Sequence, residues 1–320
     1  MALQTSGQIS LNDVNVELGN SGTSQIDMNS SAVRGLLERP SGQISLSDGY
    51  GKSSVFVFTI SSNTQEANLS TLATAAGWDG SAEVEATVAS GVYLWSDSTS
   101  TAGLIVNIAG VTVTNNGKII GKGGYGAYRV GTSHSFTSGA AGGPALSVTS
   151  SGVTIINNSG AYIAGGGGGG GGFGDGGESD YAAGGGGAGG GNGGYWVTNG
   201  SPYSGGAIGQ VGSDAGFYQS GVGGGAGGGG GAVYGNGGGG GRILPGTGGA
   251  AGAVSTNYGN GGAAGNTGQA GASHAHFGGG GGGWGAAGGN SQTSRGSGGA
   301  AITNTTSYTL SNSGTIYGAT

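Results

Sequence analysis

Residues 162–173 read Tyr-Ile-Ala, then eight consecutive glycines, then Phe, so a β-strand sequence leads directly into a tract without side chains. Glycine fills 88 of the 320 positions. The longest further tracts, two of them interrupted by a single alanine, lie at 184–191, 223–231 and 278–283. Such tracts cannot form an ordinary hydrophobic core, because they have no apolar side chains to bury. Either they are disordered, or their backbone is the core.

Polyglycine has an ordered state, the polyglycine II helix, with three residues per turn and a rise of about 3.1 Å per residue. Packed side by side, such helices can exchange N–H···O=C bonds in every direction, with Cα–H···O contacts in addition. Ordering each residue costs about 1–2 kcal/mol, and a hydrogen bond returns about 1 kcal/mol net, so many helices must pack at once. We predict such a bundle, with Ala188 and Ala226 on outward edges where a methyl group is tolerated.

A motif of strand, Asn/Gly turn and strand occurs three times, at Val111–Gly121, Val153–Gly165 and Tyr308–Gly318. Asn and Gly suit such a turn because they tolerate positive φ. We predict that the copies stack as a β platform from which the glycine tracts leave and to which they return. Further strands are expected at Val55–Ile60, buried on both faces, and at 92–95 and 104–108, with a short helix at 72–76.

The first 53 residues contain a near-repeat, Ser6–Asp13 and Ser41–Asp48, with a Ser-x-x-Asp capping box in each copy. Short helices are predicted after Ser10 and over Ser31–Glu38. This module is either a marginal cap on the next domain or, as we favour, a segment that folds against a partner or against copies of itself. The expected docking residues are Ile9, Leu11, Val14, Leu18, Ile44 and Leu46.

Composition excludes several functions. A net charge of −6 with eight Lys and Arg argues against nucleic-acid binding, which needs a basic surface. The absence of cysteine excludes disulfides and thiolate metal sites. No stretch approaches the roughly 18 apolar residues of a membrane span. The amino terminus does not resemble a secretory signal, so synthesis in a cytoplasm is expected.

Catalysis and metal binding are not expected. His274 and His276 have no identifiable third ligand, and solvated loop histidines are the better interpretation. The acids Asp175, Glu178 and Asp180 lie in a glycine-rich loop rather than in a rigid cleft with a fixed carboxylate separation. We therefore predict no enzyme, no cofactor and no metal.

Islands rich in aromatic residues interrupt the glycine tracts and are predicted to be loops on a rigid scaffold, the arrangement that binding surfaces use. Trp and Tyr are enriched where interfaces gain most of their affinity. The candidate receptor-binding residues are Tyr128, Phe173, Tyr181, Tyr195, Trp196, Tyr203, Phe217, Tyr218, Tyr258, His276 and Phe277.

The Asn/Gly motifs, the segment Gly-Gly-Pro-Ala-Leu-Ser-Val at 142–148 and the interrupted glycine tracts resemble the glycine-rich tail-fibre adhesins of tailed bacteriophages. The resemblance implies a sandwich of polyglycine II helices whose variable loops bind outer-membrane proteins. The amino-terminal half departs from the tip adhesins of T-even-type long tail fibres, so their mode of attachment is not carried over.

The predicted fold class is mostly β and irregular: a helical docking module at 1–53, a β-rich platform at 54–120, and a polyglycine II receptor-binding domain at 121–320 with a closing strand at 306–320. The predicted function is a virion tail-fibre or tail-tip adhesin, made in the host cytoplasm, that recognises an outer-membrane protein or a surface polysaccharide. Other phage tail proteins are expected partners, in a homotrimer or as a single copy at a fibre tip. The alternatives are a structural tail or baseplate spacer and an ice-binding protein; against ice binding, no regular Thr or Ala ladder is evident in the sequence.

Overall fold

The computed structural model describes residues 2–80, 82–130, 135–174, 181–195, 203–215, 220–232, 235–252, 259–271 and 277–320. It is mostly β and irregular, as predicted, and its described helices are short: α1 Leu11–Glu17, α2 Ser31–Leu36 and α3 Leu69–Ala75, with a 3₁₀ turn at Leu46–Gly49. The strands, in chain order, are β1 Val55–Ile60, β2 Thr64–Gln65, β3 Ala67–Asn68, β4 Glu83–Val88, β5 Tyr93–Trp95, β6 Leu104–Val106, β7 Thr112–Asn115, β8 Lys118–Ile120, β9 Leu146–Val148, β10 Val153–Asn157, β11 Tyr162–Ala164, β12 Phe173–Gly174, β13 Tyr181–Ala182, β14 Ile302–Asn304, β15 Tyr308–Asn312 and β16 Thr315–Tyr317.

The near-repeat in the first 53 residues forms two capping boxes, which confirms that prediction. The Ser10 hydroxyl accepts from the Asp13 amide, and the Asp13 carboxylate accepts from the Ser10 amide at 2.7 Å. Ser45 and Asp48 form the same pair at the 3₁₀ turn. Each box satisfies amide groups that the first turn of a helix leaves without a partner.

The amino-terminal module has its own apolar core, and five of the six predicted docking residues belong to it or pack against it. Ile9 and Val14 are buried, and Leu18, Ile44 and Leu46 pack against the same cluster. These side chains are used for folding the module, because Leu3, Val33, Leu36 and Leu37 complete the cluster. Leu11, at 45% exposure, is the one of the six that faces solvent.

Fourteen of these sixteen strands form three parallel sheets, which we call sheets A, B and C, and β12 pairs separately with β13. Sheet A has the order β1-β4-β7-β10-β15, sheet B the order β2-β5-β8-β11-β16, and sheet C the order β3-β6-β9-β14. Each turn of the chain therefore adds one strand to each sheet, which is the topology of a parallel β-solenoid. The glycine-rich segments leave after β8 and after β11, and the chain returns at β9 and β14.

The three copies of the strand–turn–strand motif stack in register. The two strands of a copy do not pair with each other, because the Asn/Gly turn is a corner between sheets A and B. At this corner Asn115 and Asn157 are completely buried. The Asn115 amide donates to Asn157 at 2.9 Å, and the Asn157 amide donates to Asn312 at 2.8 Å. This asparagine ladder joins three turns of the solenoid inside its corner.

The interior of the solenoid holds the largest apolar core, with Leu94, Leu104, Leu146 and Ile155 fully buried. Strand β1 differs from its prediction. Phe58 and Ile60 face the core, but Val57 is 64% exposed on the outer face of sheet A. The strand is therefore one-sided. Strand β4 was not predicted, although its sequence alternates between polar and apolar residues in the period of a strand.

Candidate functional site

The glycine-rich segments pair with one another through their backbones. Successive N–H groups of Gly166–Gly171 donate to three neighbouring segments in turn, at 140–143, 185–188 and 286–289, so that residues three apart share a neighbour. The bonds, all between 2.8 and 2.9 Å, run from Gly166 to Gly143, Gly167 to Ala188, Gly168 to Ala286, Gly169 to Ala140, Gly170 to Gly185 and Gly171 to Gly289.

The carbonyl groups of the same tract accept from three other segments, 124–127, 279–282 and 296–299. Gly166–Gly171 thus has six hydrogen-bonded neighbours, and its residues are all buried. Buried peptide groups need partners, and here other glycine-rich segments provide them. The backbone of these segments is therefore the core of this part of the molecule, which we call the glycine bundle.

Glycine is required in the bundle because the segments approach too closely for side chains. A Cβ atom at Gly169 would overlap the carbonyl oxygen of Tyr125, and a Cβ atom at Gly187 would overlap that of Gly167. Ala188 and Ala226 do not lie on outward edges as predicted: both are completely buried. Their methyl groups are tolerated because they pack in an apolar cluster with Trp284.

That cluster joins the glycine bundle to sheet B. Ile120 of β8 and Ala164 of β11 are buried in it, and Trp95 and Tyr317 pack against it. The indole of Trp284 donates to the Ile243 carbonyl at 2.8 Å. The cluster therefore fixes the near end of the bundle on the solenoid.

A buried arginine reinforces this junction. The Arg242 guanidinium donates to the carboxylate of Asp97, and its Nε donates to the Gly189 carbonyl at 3.2 Å. Lys122 lies 3.4 Å from the same carboxylate. Burial acts to raise the pKa of Asp97, but the hydrogen bonds and charges of Arg242 and Lys122 outweigh it and lower the pKa below its usual value.

The opposite end of the bundle, which we call the far end, carries the predicted aromatic residues that are described. Phe173 and Gly174 pair with Ala182 and Tyr181 in a two-stranded antiparallel sheet. Phe173, Tyr181 and Phe277 are 5%, 4% and 7% exposed. Their burial corrects the expectation that these three are loop residues available to a receptor. They form instead a buried aromatic layer that supports the far end from inside.

Tyr128, Tyr195 and Tyr203 are more accessible. The rings of Tyr128 and Tyr195 stack, with centroids 5.2 Å apart and an interplanar angle of 21°. Tyr128 is 37% exposed, and Tyr195 and Tyr203 are half-buried. Trp196, Phe217, Tyr218, Tyr258 and His276 lie outside the described residues, as do His274, Asp175, Glu178 and Asp180.

Arg129 and Phe136 belong to the far end but were not predicted as site residues. They form an antiparallel bridge. The Arg129 guanidinium lies 4.7 Å from the centroid of the Tyr181 ring, and the Phe136 ring centroid lies 6.4 Å from that of Tyr181. A cation over an aromatic face is an attractive contact. The two residues hold the segments on either side of 131–134 against the buried aromatic layer.

The spacing of two tyrosines before Arg129 is a sequence signal for exposed side chains that the sequence analysis did not use. Tyr125 and Tyr128 are three residues apart, are both exposed, and alternate with buried Gly124, Gly126 and Ala127. Large side chains every third residue are expected for a threefold helix at the surface of a bundle.

In the described part of the chain, no three His, Cys, Asp or Glu side chains lie close enough together to hold a metal ion. Among the described helices, none has the length and apolar character needed to cross a bilayer.

Comparison with known proteins identifies relatives. The sequence family described as "Phage tail fibre adhesin Gp38" matches residues 55–226, more than half of the chain. A search of curated proteins found none that matches this chain. Among solved structures, the chain is similar to the gp37-gp38 adhesin tip complex of the bacteriophage S16 long tail fiber, with a TM-score of 0.50 and 19% identity over 98% of this chain and 99% of that one. At this identity the likeness concerns the fold alone.

Proposed function

This chain belongs to the phage tail fibre adhesin Gp38 family, and from that premise we propose that its glycine bundle presents the far end to a receptor on the host cell. The solved relative is described as an adhesin tip complex. The observation that carries the proposal is the six-neighbour hydrogen bonding of Gly166–Gly171, which provides a rigid support for loops. Loops on rigid scaffolds are common binding surfaces.

The bundle consists, in this proposal, of polyglycine II helices. The three-residue repeat of donors supports it, because three residues complete one turn of that helix. The same repeat recurs in another tract: Gly278 and Gly281 donate to Gly231 and Gly228, and Gly280 and Gly283 donate to Gln269 and Asn266. An eight-residue tract would hold the far end about 25 Å from the solenoid.

The receptor is an outer-membrane protein or a surface polysaccharide, which the far-end loops and the Tyr128–Tyr195 stack bind.

The three parts of the chain have different roles in this proposal. Residues 1–53 dock to other tail proteins, 54–120 form the platform, and 121–320 form the receptor-binding domain with its closing strand at 306–320. Strands on both sides of residue 120 belong to the same three sheets, so the platform and the bundle share one framework. A homotrimer and a single copy at a fibre tip remain the two candidate assemblies in the virion tail.

Alanine at Tyr128 or Tyr195 is expected to slow phage adsorption about tenfold. Each variant removes one ring of a half-exposed stack, truncation of an important interface residue costs more than about 1 kcal/mol, and about 1.4 kcal/mol is tenfold in affinity. Trp196→Ala and Tyr218→Ala are expected to act in the same direction. Adsorption rates to host cells provide the measurement. Val211→Ala, at a 57% exposed side chain that is not among the predicted receptor-binding residues, is the control. Parental adsorption by all four variants would favour the spacer alternative.

Ice binding is a second candidate, with one observation in its favour. Threonines lie in two rows on the outer face of sheet A: Thr59, Thr87 and Thr114 in one, and Thr112, Thr154 and Thr309 in the other. These short rows were not evident in the sequence, because their members come from different strands. Glu85 and Ile156 interrupt the rows, so we expect no thermal hysteresis from the purified protein. Measurable hysteresis would favour ice binding.

A further inference from the structure

Strand β1 has an open edge. It is the first strand of sheet A and pairs with β4 on one side only. The Ala89 amide donates to the Ile60 carbonyl at 3.0 Å, so the backbone groups of Ile60 point towards the β4 side. Backbone groups of successive strand residues point in opposite directions. Val57 and Thr59 therefore direct their N–H and C=O groups to the open edge.

A cleft of about 620 Å³ lies beside this edge. One wall is the amino-terminal module, with Leu18 and Leu36, and the other is β1, with Phe56 and Val57. A smaller cleft of about 360 Å³, lined in part by Glu85, adjoins it at Val55 and Val57. Glu17 accepts from the Ser54 amide at 2.9 Å and fixes the module beside β1, so the cleft is framed by two connected elements.

The edge lacks the features that protect edge strands from pairing with another chain. Such strands are commonly short or carry Lys or Pro. β1 is six residues long, reads Val-Phe-Val-Phe-Thr-Ile and contains neither. Val57 is 64% exposed, more than any other large apolar side chain in the described part of the molecule.

The charge around the cleft indicates the chemistry of an occupant. Its lining includes the carboxylates of Asp79 and Glu38, of which Glu38 is paired with Lys52, and Glu85 lines the adjoining cleft. No Lys or Arg belongs to the described lining of either cleft. Complementary charge favours association, so basic side chains suit this rim.

A second copy of this chain fits the edge poorly. A copy stacked through its own open strand, β15, would place the asparagine ladder on β1. Across sheet A, the row that contains the ladder begins with Ile60 in β1 and Val88 in β4 and continues with Asn115, Asn157 and Asn312. The ladder would end on an apolar residue and leave an amide without a partner, which is costly when buried.

We propose that the open edge of β1 receives an extended segment of another tail protein, apolar at alternate positions and basic at its flanks. The segment adds a strand to sheet A: its backbone pairs with Val57 and Thr59, and an apolar side chain enters the cleft beside Phe56. Such strand addition obtains affinity from backbone bonds and specificity from alternate side chains. This inference rests on the proposed docking to tail proteins and assigns its surface.

The test uses phage particles that lack this adhesin and the purified full-length chain, with the bound amount measured by sedimentation. Val57→Pro removes one outward N–H, and proline is tolerated on an edge strand when its nitrogen faces outward. We expect at least a tenfold rise in Kd. Val57→Thr, the matched control, keeps the N–H and the β-branched shape and is expected to bind within about threefold of the parent.

A charge variant keeps the proposal falsifiable if Val57→Pro fails to fold. Glu85 lies on the exposed outer face of sheet A. We expect Glu85→Lys to raise the Kd at least threefold at low salt and by a smaller factor at high salt. A folded Val57→Pro protein that binds like the parent, or Glu85→Lys binding as tightly as the parent, overturns the proposal. If the parent itself does not bind adhesin-free particles, the proposed docking to tail proteins fails, and the edge assignment fails with it.

Discussion

Gly187→Ala is expected to destabilise the glycine bundle by about 3 kcal/mol or more. The added Cβ would overlap the Gly167 carbonyl oxygen, so two tracts would have to separate. The Gly187 amide donates to Gly124 at 2.9 Å, and its carbonyl accepts from Gly191 at 2.9 Å. Overpacking alone costs about 1–3 kcal/mol, and each buried group left without a partner costs about 1–3 kcal/mol more.

Calorimetric unfolding checks this prediction, with Gly35→Ala as the matched control. Gly35 lies inside α2 and has no atom within 4 Å of the position of an added Cβ. Alanine there is expected to stabilise the protein by about 0.5–1 kcal/mol, because glycine is the poorer helix former. Equal effects at the two sites would mean that close backbone packing does not hold the bundle together.

Asn157→Asp is expected to destabilise the solenoid by about 3–5 kcal/mol at neutral pH, the range found when a buried charge loses its partner. Asn157 is completely buried, accepts from Asn115 and donates to Asn312. A carboxylate at this position cannot donate, and its charge would face the Asn312 oxygen.

The pH dependence gives this variant a distinct signature. Burial raises the pKa of an introduced carboxyl group, so the folded state would bind its proton at a higher pH than the unfolded state. The stability difference from the parent should therefore shrink as the pH falls through the raised pKa, because the protonated group can donate again. Asn158→Asp is the control, since Asn158 pairs with Asn116 at the partly exposed side of the same corner. A loss of stability that is equal for both variants and independent of pH would contradict the ladder's role.

Local sequence signals predicted several elements of this fold. The Ser-x-x-Asp spacing predicted both capping boxes, because a capping box depends on residues only three apart. The recurrence of Asn115-Asn116 as Asn157-Asn158 indicated stacked copies, since equal sequences can occupy equal positions in a repeating structure. These signals need no knowledge of the rest of the chain.

Features that depend on distant contacts could not be predicted. The burial of Ala188 and Ala226 follows from their meeting with Trp284 at sheet B. The burial of Phe173 and Tyr181 follows from the pairing of β12 with β13. The contact of Arg129 with Tyr181 joins residues 52 positions apart in the chain. In each case the sequence supplies the residue type, and the neighbour is decided by how the segments pack.

Hydrogen–deuterium exchange of the glycine tracts tests the central claim most directly. If the backbone of Gly166–Gly171 and Gly184–Gly189 is a hydrogen-bonded core, peptides covering these residues should be protected as strongly as peptides from β7 and β10 in the solenoid. Exchange of these peptides at the rate of an unstructured chain, while β7 and β10 stay protected, would contradict the account.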